Sequence, residues 1–326
     1  MNKKSITIVT PVYNEEENID NYYNEICQKL LTLSQYEFEI IFVDDGSHDN
    51  SWEKILKICN ENTNFNAIRL SRNFSSHFAI TAGLDRAKGD AAIILACDLQ
   101  DPVETAIEFI RKWEKGYKIV WGERISRDDA NWKIIASKLF NLLLKKWAMP
   151  ENSNFTTGSF LLIDRKVLDC YCMHDDNSRL TFAIVAWTGF KQVRIPYHRQ
   201  ARKAGKTGWS LLNMISGFYN AIIAYSTFPL KFITTISIFI LFFSVPIALY
   251  ISYLYIVGRT GNIGWISTIL AIFLFSGIIL FQLSIISVYL SRIYKDASHR
   301  PLYFVSDDTI PERYTISRPR EKSKSK

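Results

Sequence analysis

Two stretches decide the fold, SITIVTPVYNEE at residues 5–16 and FEIIFVDDGS at residues 38–47. Each begins with a short run rich in β-branched and aromatic residues and ends in polar and acidic residues. Short apolar runs separated by longer helical patterns indicate βαβ units, with a largely parallel sheet covered by helices on both faces. Ligands of such sheets bind at the carboxyl ends of the strands. The polar ends of the two stretches are therefore candidate binding residues.

The same alternation continues as far as residue 120, and after it the rhythm changes. We predict strands at residues 5–9, 38–43, 67–70, 91–96 and 118–120, and helices at residues 16–33, 50–60, 78–87 and 103–113. Further along we predict a helix at 131–147, a strand at 155–163, a helix at 179–187 and a strand at 192–196. The fold class is thus α/β, with a Rossmann-like and mostly parallel sheet.

Two long stretches near the C-terminus, residues 232–257 and 263–291, contain no Asp, Glu, Lys or Arg. Each has at least about 26 residues, and a helix of that length crosses the roughly 30 Å hydrocarbon core of a bilayer. The alternative, two buried helices of a soluble core, would need a large surrounding domain, for which almost no sequence remains. We therefore expect a C-terminal hairpin of two transmembrane helices.

Basic residues flank the two expected spans, and Arg259 alone lies between them. Because Lys and Arg near a span are retained on the cytoplasmic side, the large N-terminal domain and both termini are expected in the cytoplasm. The N-terminal MNKKSITIVTPVY shows no signal-peptide cleavage site, which agrees with that orientation. The expected location is the inner membrane, with a multi-pass topology. The flanking residues are Arg199, Arg202, Lys203, Lys206 and Lys231 before the first span, and Arg292, Lys295 and Arg300 after the second.

The net charge of +7 and the pI near 9.0 raise the question of a nucleic-acid partner. Much of the surplus lies beside the spans and in residues 313–326, which suits an anionic lipid leaflet better. The expected organisation is a catalytic domain at 1–205, an amphipathic juxtamembrane segment at 206–230, two transmembrane helices at 231–292 and a basic cytosolic tail at 293–326. The helical stripe at 209–226 either lies in the membrane interface or belongs to the soluble core.

Acidic residues follow three of the predicted strands. Residues 44–47, Asp-Asp-Gly-Ser, either form an ordinary Asx turn or supply acceptors for a base or a ribose. Asp98 and Gln100 are expected to alternate on an extended segment and to face the same side. Two oxygen ligands beside a diphosphate suit Mg²⁺ or Mn²⁺. Asp101, before Pro102, is expected to be the N-cap of the next helix.

Five motifs, taken together, carry a family resemblance: TPVYNEE at 10–16, VDDGS at 43–47, SRNF at 71–74, DLQDP at 98–102 and LIDRK at 162–166. The set resembles family 2 glycosyltransferases of the GT-A fold. It is most similar to the polyprenyl-phosphate glycosyltransferases, which include dolichol-phosphate mannose synthases and bactoprenol glucosyl transferases. The resemblance extends over nearly the whole chain, including the apolar C-terminal region.

The resemblance implies a set of site residues, of which Asp98, Arg124 and Lys138 are the expected catalytic ones. For the basic residues, a charge that is simply solvated or faces lipid remains the alternative. The full set is Pro11, Tyr13, Glu15, Asp44 and Asp45 for the nucleotide-sugar; Asp98 and Gln100 for Mg²⁺ or Mn²⁺; and Arg124, Lys138, Arg199 and Arg202 for the acceptor phosphate.

The implied reaction is an inverting transfer of one sugar from a UDP- or GDP-sugar to undecaprenyl phosphate, for cell-envelope glycan modification. Two departures from the family pattern stand out, because Ala96 and Ser159 occupy positions where relatives often carry a carboxylate. The first removes one metal ligand and the second removes a carboxylate that has been proposed as a base.

Two other functions are weighed against this one. A processive polysaccharide synthase would show a Gln-x-x-Arg-Trp pattern and more spans. A non-catalytic membrane scaffold is favoured by the two departures, and metal-dependent nucleotide binding that is lost in Asp98→Ala would separate it from an enzyme. The expected partners are the nucleotide-sugar, the polyprenyl phosphate and membrane lipids; a homo-oligomer is left open and nucleic acid is not expected.

Overall fold

The computed structural model describes residues 3–125, 158–174, 180–200, 228–257, 264–298 and 300–310. The chain divides into two units, Met1–Met214 together with His299–Lys326, and Ile215–Ser298. The predicted helices at 131–147 and 209–226, and the predicted site residues Lys138 and Arg202, lie outside the described residues.

Eight strands of the described part of the chain form one sheet, in the order β7-β5-β6-β4-β1-β2-β3-β8. Parallel pairs join β1 to β2 and β4, β2 to β3, and β5 to β7, whereas β6 and β8 run antiparallel to their neighbours. The prediction of a mostly parallel α/β sheet is therefore confirmed. The strands are β1 (Lys4–Val12), β2 (Tyr36–Asp44), β3 (Phe65–Leu70), β4 (Ala91–Ile94), β5 (Ile119–Arg124), β6 (Leu161–Asp164), β7 (Gln192–Tyr197) and β8 (Val305–Asp308).

Helices cover both faces of this sheet. Alternate residues of β1, such as Ile6 and Ile8, share a core cluster with residues of α1, α2 and α4. Val9 points to the opposite face, where Gly83 of α3 lies against it. The helices of the first unit are α1 (Ile19–Lys29), α2 (Ser51–Glu61), α3 (Ser76–Arg86), α4 (Val103–Glu114), α5 (Arg165–Cys172) and α6 (Thr181–Trp187).

The second unit contains two long apolar helices, α7 (Phe228–Ile256) and α8 (Gly264–Ala297). They contact each other through a polar pair, in which Gln282 Nε2 donates to Ser237 Oγ at 2.5 Å. Among the described residues, Ala271–Ala297 is long and apolar enough to cross a membrane, with a mean hydropathy of 2.3. Leu230–Ser244 is a shorter apolar stretch. The expected pair of spans thus has one candidate that meets the full length and hydropathy requirement.

The LIDRK motif at 162–166 is explained by packing at the sheet edge opposite to the Asp98 turn. Asp164 caps α5, since its Oδ1 accepts from Lys166 N at 3.2 Å. Its Oδ2 accepts from Trp113 Nε1 and from Lys118 Nζ, both at 2.8 Å. Because β6 is antiparallel, Asp164 lies beside Ala91, at the start of β4. The motif therefore anchors α5 and α4 to the sheet.

Strand β8 lies in the segment that was expected to be a basic tail. It pairs antiparallel with β3, with Ile68 opposite Asp308 and Leu70 opposite Val305. Thr309 continues this contact, because its N donates to Ala67 O at 2.9 Å. Residues 300–310, which we name the return segment, thus belong to the sheet and cover its β3 edge.

His77 introduces an acid-sensitive contribution to stability. Its ring is partly buried beside Phe182, with ring centroids 6.1 Å apart. Its Nδ1 has no hydrogen-bond partner among the described residues. Burial lowers the pKa of His77 from 6.5 to about 4. The unfolded chain then takes up the proton first, so stability is lost as the pH falls from about 6.5 to about 4, by at most about 3 kcal/mol.

We expect His77→Gln to remove this loss. The measurement is the melting temperature of the purified chain in detergent at about pH 7 and about pH 5, for wild type and variant. The wild type should drop further than the variant on acidification. Burial raises the pKa of Asp45 to about 6, which acts in the opposite direction over the same range, so the difference between the two proteins isolates His77. Equal drops in both proteins would contradict the assignment.

Candidate functional site

The loops after β1 and β2 interlock at the carboxyl edge of the sheet. Asp44 is fully buried, and its Oδ1 accepts from Ser47 N at 3.1 Å, which closes the loop at residues 44–47. Its Oδ2 lies 3.2 Å from Arg69 Nε. Asn14 N donates to Ser47 Oγ at 2.9 Å, and Asn14 Oδ1 accepts from His48 N at 2.9 Å. Asp44 therefore supports the turn against which the β1 loop is built.

Asp45 holds the loop that follows β3. Its Oδ1 accepts from Phe74 N at 2.7 Å and its Oδ2 accepts from Ser75 N at 3.0 Å. Burial raises the pKa of Asp45 to about 6, and the two backbone hydrogen bonds oppose that rise. Ser75 has a φ of 94°, a conformation that a non-glycine residue adopts only when its surroundings enforce it. Asp45 thus stabilises the conformation of the loop at residues 71–75.

Gly46 brings the β2 turn into contact with the same loop. Its φ is +71°, and a Cβ at this position would lie 2.6 Å from the carbonyl carbon of Arg72. Only glycine satisfies both the left-handed conformation and the close approach.

We expect Gly46→Ala to destabilise the protein by about 1–3 kcal/mol more than Gly116→Ala, because the added methyl meets backbone and not a flexible side chain. Gly116 is the matched control, since its φ is +89° and no described atom lies within 4 Å of the position that an added methyl would take. Melting temperatures of the two variants check this expectation. A Gly46→Ala protein as stable as Gly116→Ala would show that the two loops are not in contact.

Pro11 lies near the end of β1, and Tyr13 and Glu15 lie in the loop that follows it. Tyr13 is 41% exposed, so its ring is accessible to a planar ligand. Pro11 stands opposite Val43 in the parallel register. Glu15 N donates to Ser51 Oγ at 3.0 Å, and its carboxylate accepts from Asn18 Nδ2 at 2.5 Å. The predicted nucleotide residues are therefore brought together at the ends of β1 and β2.

The turn after β4 differs from the prediction. Asp98 Oδ1 accepts from Gln100 N at 3.2 Å, and Leu99 between them has a φ of 52°. The expected extended conformation is wrong, because this hydrogen bond closes a turn over Leu99. That the side chains of Asp98 and Gln100 face the same side stays a prediction. Asp98 is 8% exposed, and Gln100 O accepts from Gln200 N at 2.9 Å.

Asp101 is not the N-cap of α4, contrary to the prediction. The capping position is Pro102, without a side-chain hydrogen bond. Asp101 Oδ1 instead accepts from Tyr197 OH at 2.5 Å, and Arg124 Nη2 lies 4.0 Å from it. Arg124 Nε in turn donates to Tyr197 OH at 3.1 Å. Asp101 therefore accepts a hydrogen bond from Tyr197, at the end of β7, and does not cap α4.

Asp101, Arg124 and Tyr197 each change the pKa of the other two. Burial raises the pKa of Asp101, while Arg124, Tyr197 and Arg199 oppose the rise and Asp98 adds to it. Burial would lower the pKa of Arg124, but Tyr197, Asp101 and Asp98 outweigh it and raise the pKa overall. Burial and the charge of Asp101 raise the pKa of Tyr197, which keeps its hydroxyl protonated as a donor.

We name Asp98, Asp101, Arg124 and Tyr197 the acid–arginine cluster. Gly122 shapes it, because a Cβ there would lie 2.8 Å from Tyr197 Cε1. Arg199 is exposed and close enough to influence Asp101. Its predicted partners Lys138 and Arg202 lie outside the described residues.

Cys97 is buried and directly precedes Asp98. Burial raises the pKa of the Cys97 thiol, and the negative charges of Glu15 and Asp98 raise it further. Asp101 and Tyr197 are members of the acid–arginine cluster that were not among the predicted site residues. Asp101 had a signal, since it belongs to the DLQDP motif, whereas nothing in the sequence around Tyr197 marks it.

The donor set for a metal is small. In the described ranges, no group of three or more His, Cys, Asp or Glu side chains is arranged to hold an ion. Mg²⁺ in phosphate-transfer and related sites is commonly held by one or two carboxylates, with substrate phosphates and water as the other ligands. Asp98 meets that minimal requirement. Asp101 uses Oδ1 to accept the hydrogen bond from Tyr197 OH.

The chain is similar to known proteins over most of its length. The family model for Glycosyl transferase family 2 matches residues 7–172. An uncharacterized glycosyltransferase of Bacillus subtilis is 35% identical over 92% of this chain and 92% of its own length. A bactoprenol glucosyl transferase of Shigella phage SfV is 31% identical over 93% of this chain and 98% of its own length. A mannosyltransferase from Pyrobaculum calidifontis, solved with GDP-Man and Mn²⁺, is 16% identical over 91% of this chain and 88% of that chain, with a TM-score of 0.49. The chain belongs to glycosyl transferase family 2 and is a glycosyltransferase.

Proposed function

We propose that this glycosyltransferase moves one sugar from a nucleotide-sugar to a polyprenyl phosphate, with inversion at the anomeric carbon. The observation that carries the proposal is the similarity to a bactoprenol glucosyl transferase, which spans 93% of this chain and therefore includes the apolar C-terminal helices. A similarity confined to the catalytic domain would say nothing about a lipid acceptor.

The chemistry of a phosphate acceptor fits the groups at the site. A phosphate monoester has a second pKa of about 6, so it is mostly dianionic at neutral pH and needs no general base. A phosphate oxygen forms the bond to the anomeric carbon, the bond from that carbon to the diphosphate breaks, and the nucleoside diphosphate leaves. A single displacement of this kind inverts the anomeric carbon. Ser159, where relatives often carry a carboxylate, is compatible with such a reaction.

The acid–arginine cluster supplies the cation that this reaction requires. Two anions approach each other during the transfer, and fixed positive charge reduces their repulsion. Arg124 is suited to this role because Tyr197 and Asp101 fix its guanidinium in one orientation. We propose that Arg124 contacts the acceptor phosphate, together with Lys138, and that Arg199 and Arg202 attract it.

The donor would bind at the β1 and β2 loops. Tyr13, Pro11 and Glu15 form the proposed nucleotide pocket, and Asp44 and Asp45 hold the turns that shape it. Mg²⁺ or Mn²⁺, bound by Asp98 with Gln100 beside it, would offset the charge of the leaving diphosphate. The fit of Asp98 to such an ion rests on its place at the carboxyl end of β4.

We propose that α7 and α8 both span the inner membrane as a hairpin, with the catalytic domain and both termini in the cytoplasm. Several large apolar side chains on both helices are more than half exposed, which is expected of helices surrounded by lipid. They include Phe242 at 72%, Leu249 at 67%, Trp265 at 76% and Phe273 at 73%. The flanking basic residues favour the cytoplasmic orientation. The membrane would hold the site at the height of the lipid phosphate.

A donor screen tests the proposed function. Purified protein in detergent is mixed with undecaprenyl phosphate and, one at a time, radiolabelled UDP- and GDP-sugars with Mg²⁺ or Mn²⁺. The expected result is a labelled product that extracts into organic solvent, with one donor strongly preferred. If none of the common donors labels the lipid, the proposed acceptor is wrong.

A further inference from the structure

The loop at residues 71–75, which includes the SRNF motif, is held from two sides. On one side are Asp45, whose oxygens accept from Phe74 N and Ser75 N, and Gly46, whose Cα lies against the backbone of Arg72. On the other side is the return segment, residues 300–310. The loop therefore has two supports that come from distant parts of the chain.

The return segment contacts this loop by a backbone bond and an aromatic pair. Ser71 N donates to Phe304 O at 2.9 Å. The rings of Phe74 and Phe304 have their centroids 6.3 Å apart at an angle of 48°, within the range of favourable aromatic pairs. Phe304 is 53% exposed, so its ring is not a core residue that the fold requires for burial. Its ring contacts Phe74, whose backbone N donates to Asp45.

Two further contacts fix the return segment on α3. Tyr303 OH donates to Asp85 Oδ2 at 2.9 Å. Arg86 Nη1 lies 2.6 Å from Asp308 Oδ2, and these two side chains are only 12% and 17% exposed. Together with the β3–β8 pairing, these contacts hold Phe304 in place from both sides along the chain. These contacts therefore hold Phe304 against the loop at 71–75.

We infer that the return segment is a positioning element of the donor pocket, acting through Phe304 on the loop at 71–75. This inference rests on the proposed function for the identity of the ligand, a nucleoside diphosphate. The loop is connected to Asp45, in the turn next to Asp44, so displacement of Phe74 disturbs the turn that shapes the pocket. The strained φ of Ser75 is maintained by these supports, and loss of one of them allows the loop to relax.

Phe304→Ala in the full-length chain tests the inference. Because the aromatic contact is worth on the order of 1 kcal/mol, we expect the Kd for UDP or GDP to rise about 5- to 10-fold, whichever nucleotide the wild type binds. The KM for the donor should rise with it, while kcat stays within about twofold, since Phe304 touches no reacting group. Phe304→Tyr keeps the ring and should restore the wild-type Kd.

The matched control is Trp187→Ala, which removes an aromatic side chain of similar exposure, 59%, from α6. It should leave the nucleotide Kd unchanged. Asp308→Asn provides a second variant that loosens the segment without touching the loop, and it should raise the Kd in the same direction as Phe304→Ala.

Calorimetric titration of nucleotide without acceptor distinguishes a failure of the proposed function from a failure of the role inferred for the return segment. A wild type that binds neither UDP nor GDP overturns both the proposed function and this inference. A wild type that binds nucleotide, with Phe304→Ala and Asp308→Asn binding equally well and only melting earlier, overturns the inference alone and leaves the segment a purely structural edge strand.

Discussion

Arg124→Ala should lower kcat for sugar transfer by about 10²- to 10³-fold, while the Kd for the nucleotide donor changes by less than about threefold. The reason is that Arg124 contacts Tyr197 and Asp101, on the side of the proposed acceptor, and belongs to neither the β1 nor the β2 loop. Steady-state kinetics with varied lipid phosphate, combined with calorimetry of the nucleotide, measures both quantities. Arg124→Lys should recover only part of the rate, because an ammonium group cannot reproduce the guanidinium geometry.

Arg194 provides the control for this prediction. It lies on the neighbouring strand β7 and is bonded to Glu123 at 3.1 Å, with 30% of its side chain exposed against 24% for Arg124. Arg194→Ala removes a similar charge from the same region and should leave kcat within about twofold. If Arg124→Ala weakens donor binding as much as it slows transfer, Arg124 belongs to the donor side of the site.

Asp98→Asn is the second change with a large expected effect. Loss of the carboxylate should weaken metal-dependent nucleotide binding at least about 30-fold, since removal of one partner of a close charge interaction costs about 2 kcal/mol or more. Transfer should fall in parallel. Nucleotide titrations with Mg²⁺, with Mn²⁺ and with a chelator check this, and the wild-type affinity in chelator should approach that of the variant.

Asp90 is the matched carboxylate for this test. It precedes β4, whereas Asp98 follows the same strand, so the two side chains stand at opposite edges of the sheet. Asp90 Oδ2 accepts from Ser5 N at 2.9 Å and from Ser5 Oγ at 3.1 Å. Asp90→Asn should not change nucleotide affinity. Metal-independent binding in the wild type, or an Asp98→Asn protein with unchanged affinity, would remove the metal from the account.

The sheet and the position of Asp44 and Asp45 at its carboxyl edge could be predicted because they follow local patterns. The apolar runs of β1 and β2 and the acidic residues after them fix both the strand and the edge at which Asp44 and Asp45 lie. In the structure both carboxylates accept hydrogen bonds from backbone N–H groups of loops. For Asp45 these groups belong to a different loop, so the sequence of one loop alone does not reveal the partner.

The acid–arginine cluster and the return segment could not be predicted for the same reason. Tyr197 and Asp101 are 96 positions apart in the chain, and their hydrogen bond exists only because β5 and β7 pair beside the β4 turn. The turn at Asp98 could not be recognised either, because Leu99, and not a glycine, adopts the positive φ there. Strand β8 is a four-residue edge strand with two acidic residues, too short for its alternation to be recognised.

The most direct test of the central claim compares acceptors that differ only in the phosphate. The enzyme, the preferred labelled nucleotide-sugar and metal are incubated with undecaprenyl phosphate or with undecaprenol, and the lipid product is examined by mass spectrometry. If the lipid phosphate is the acceptor, undecaprenyl phosphate should gain a single sugar. Undecaprenol should stay unmodified, because it lacks the dianion that Arg124 would contact. Transfer to undecaprenol at a similar rate, or a product that carries many sugars, would contradict this claim.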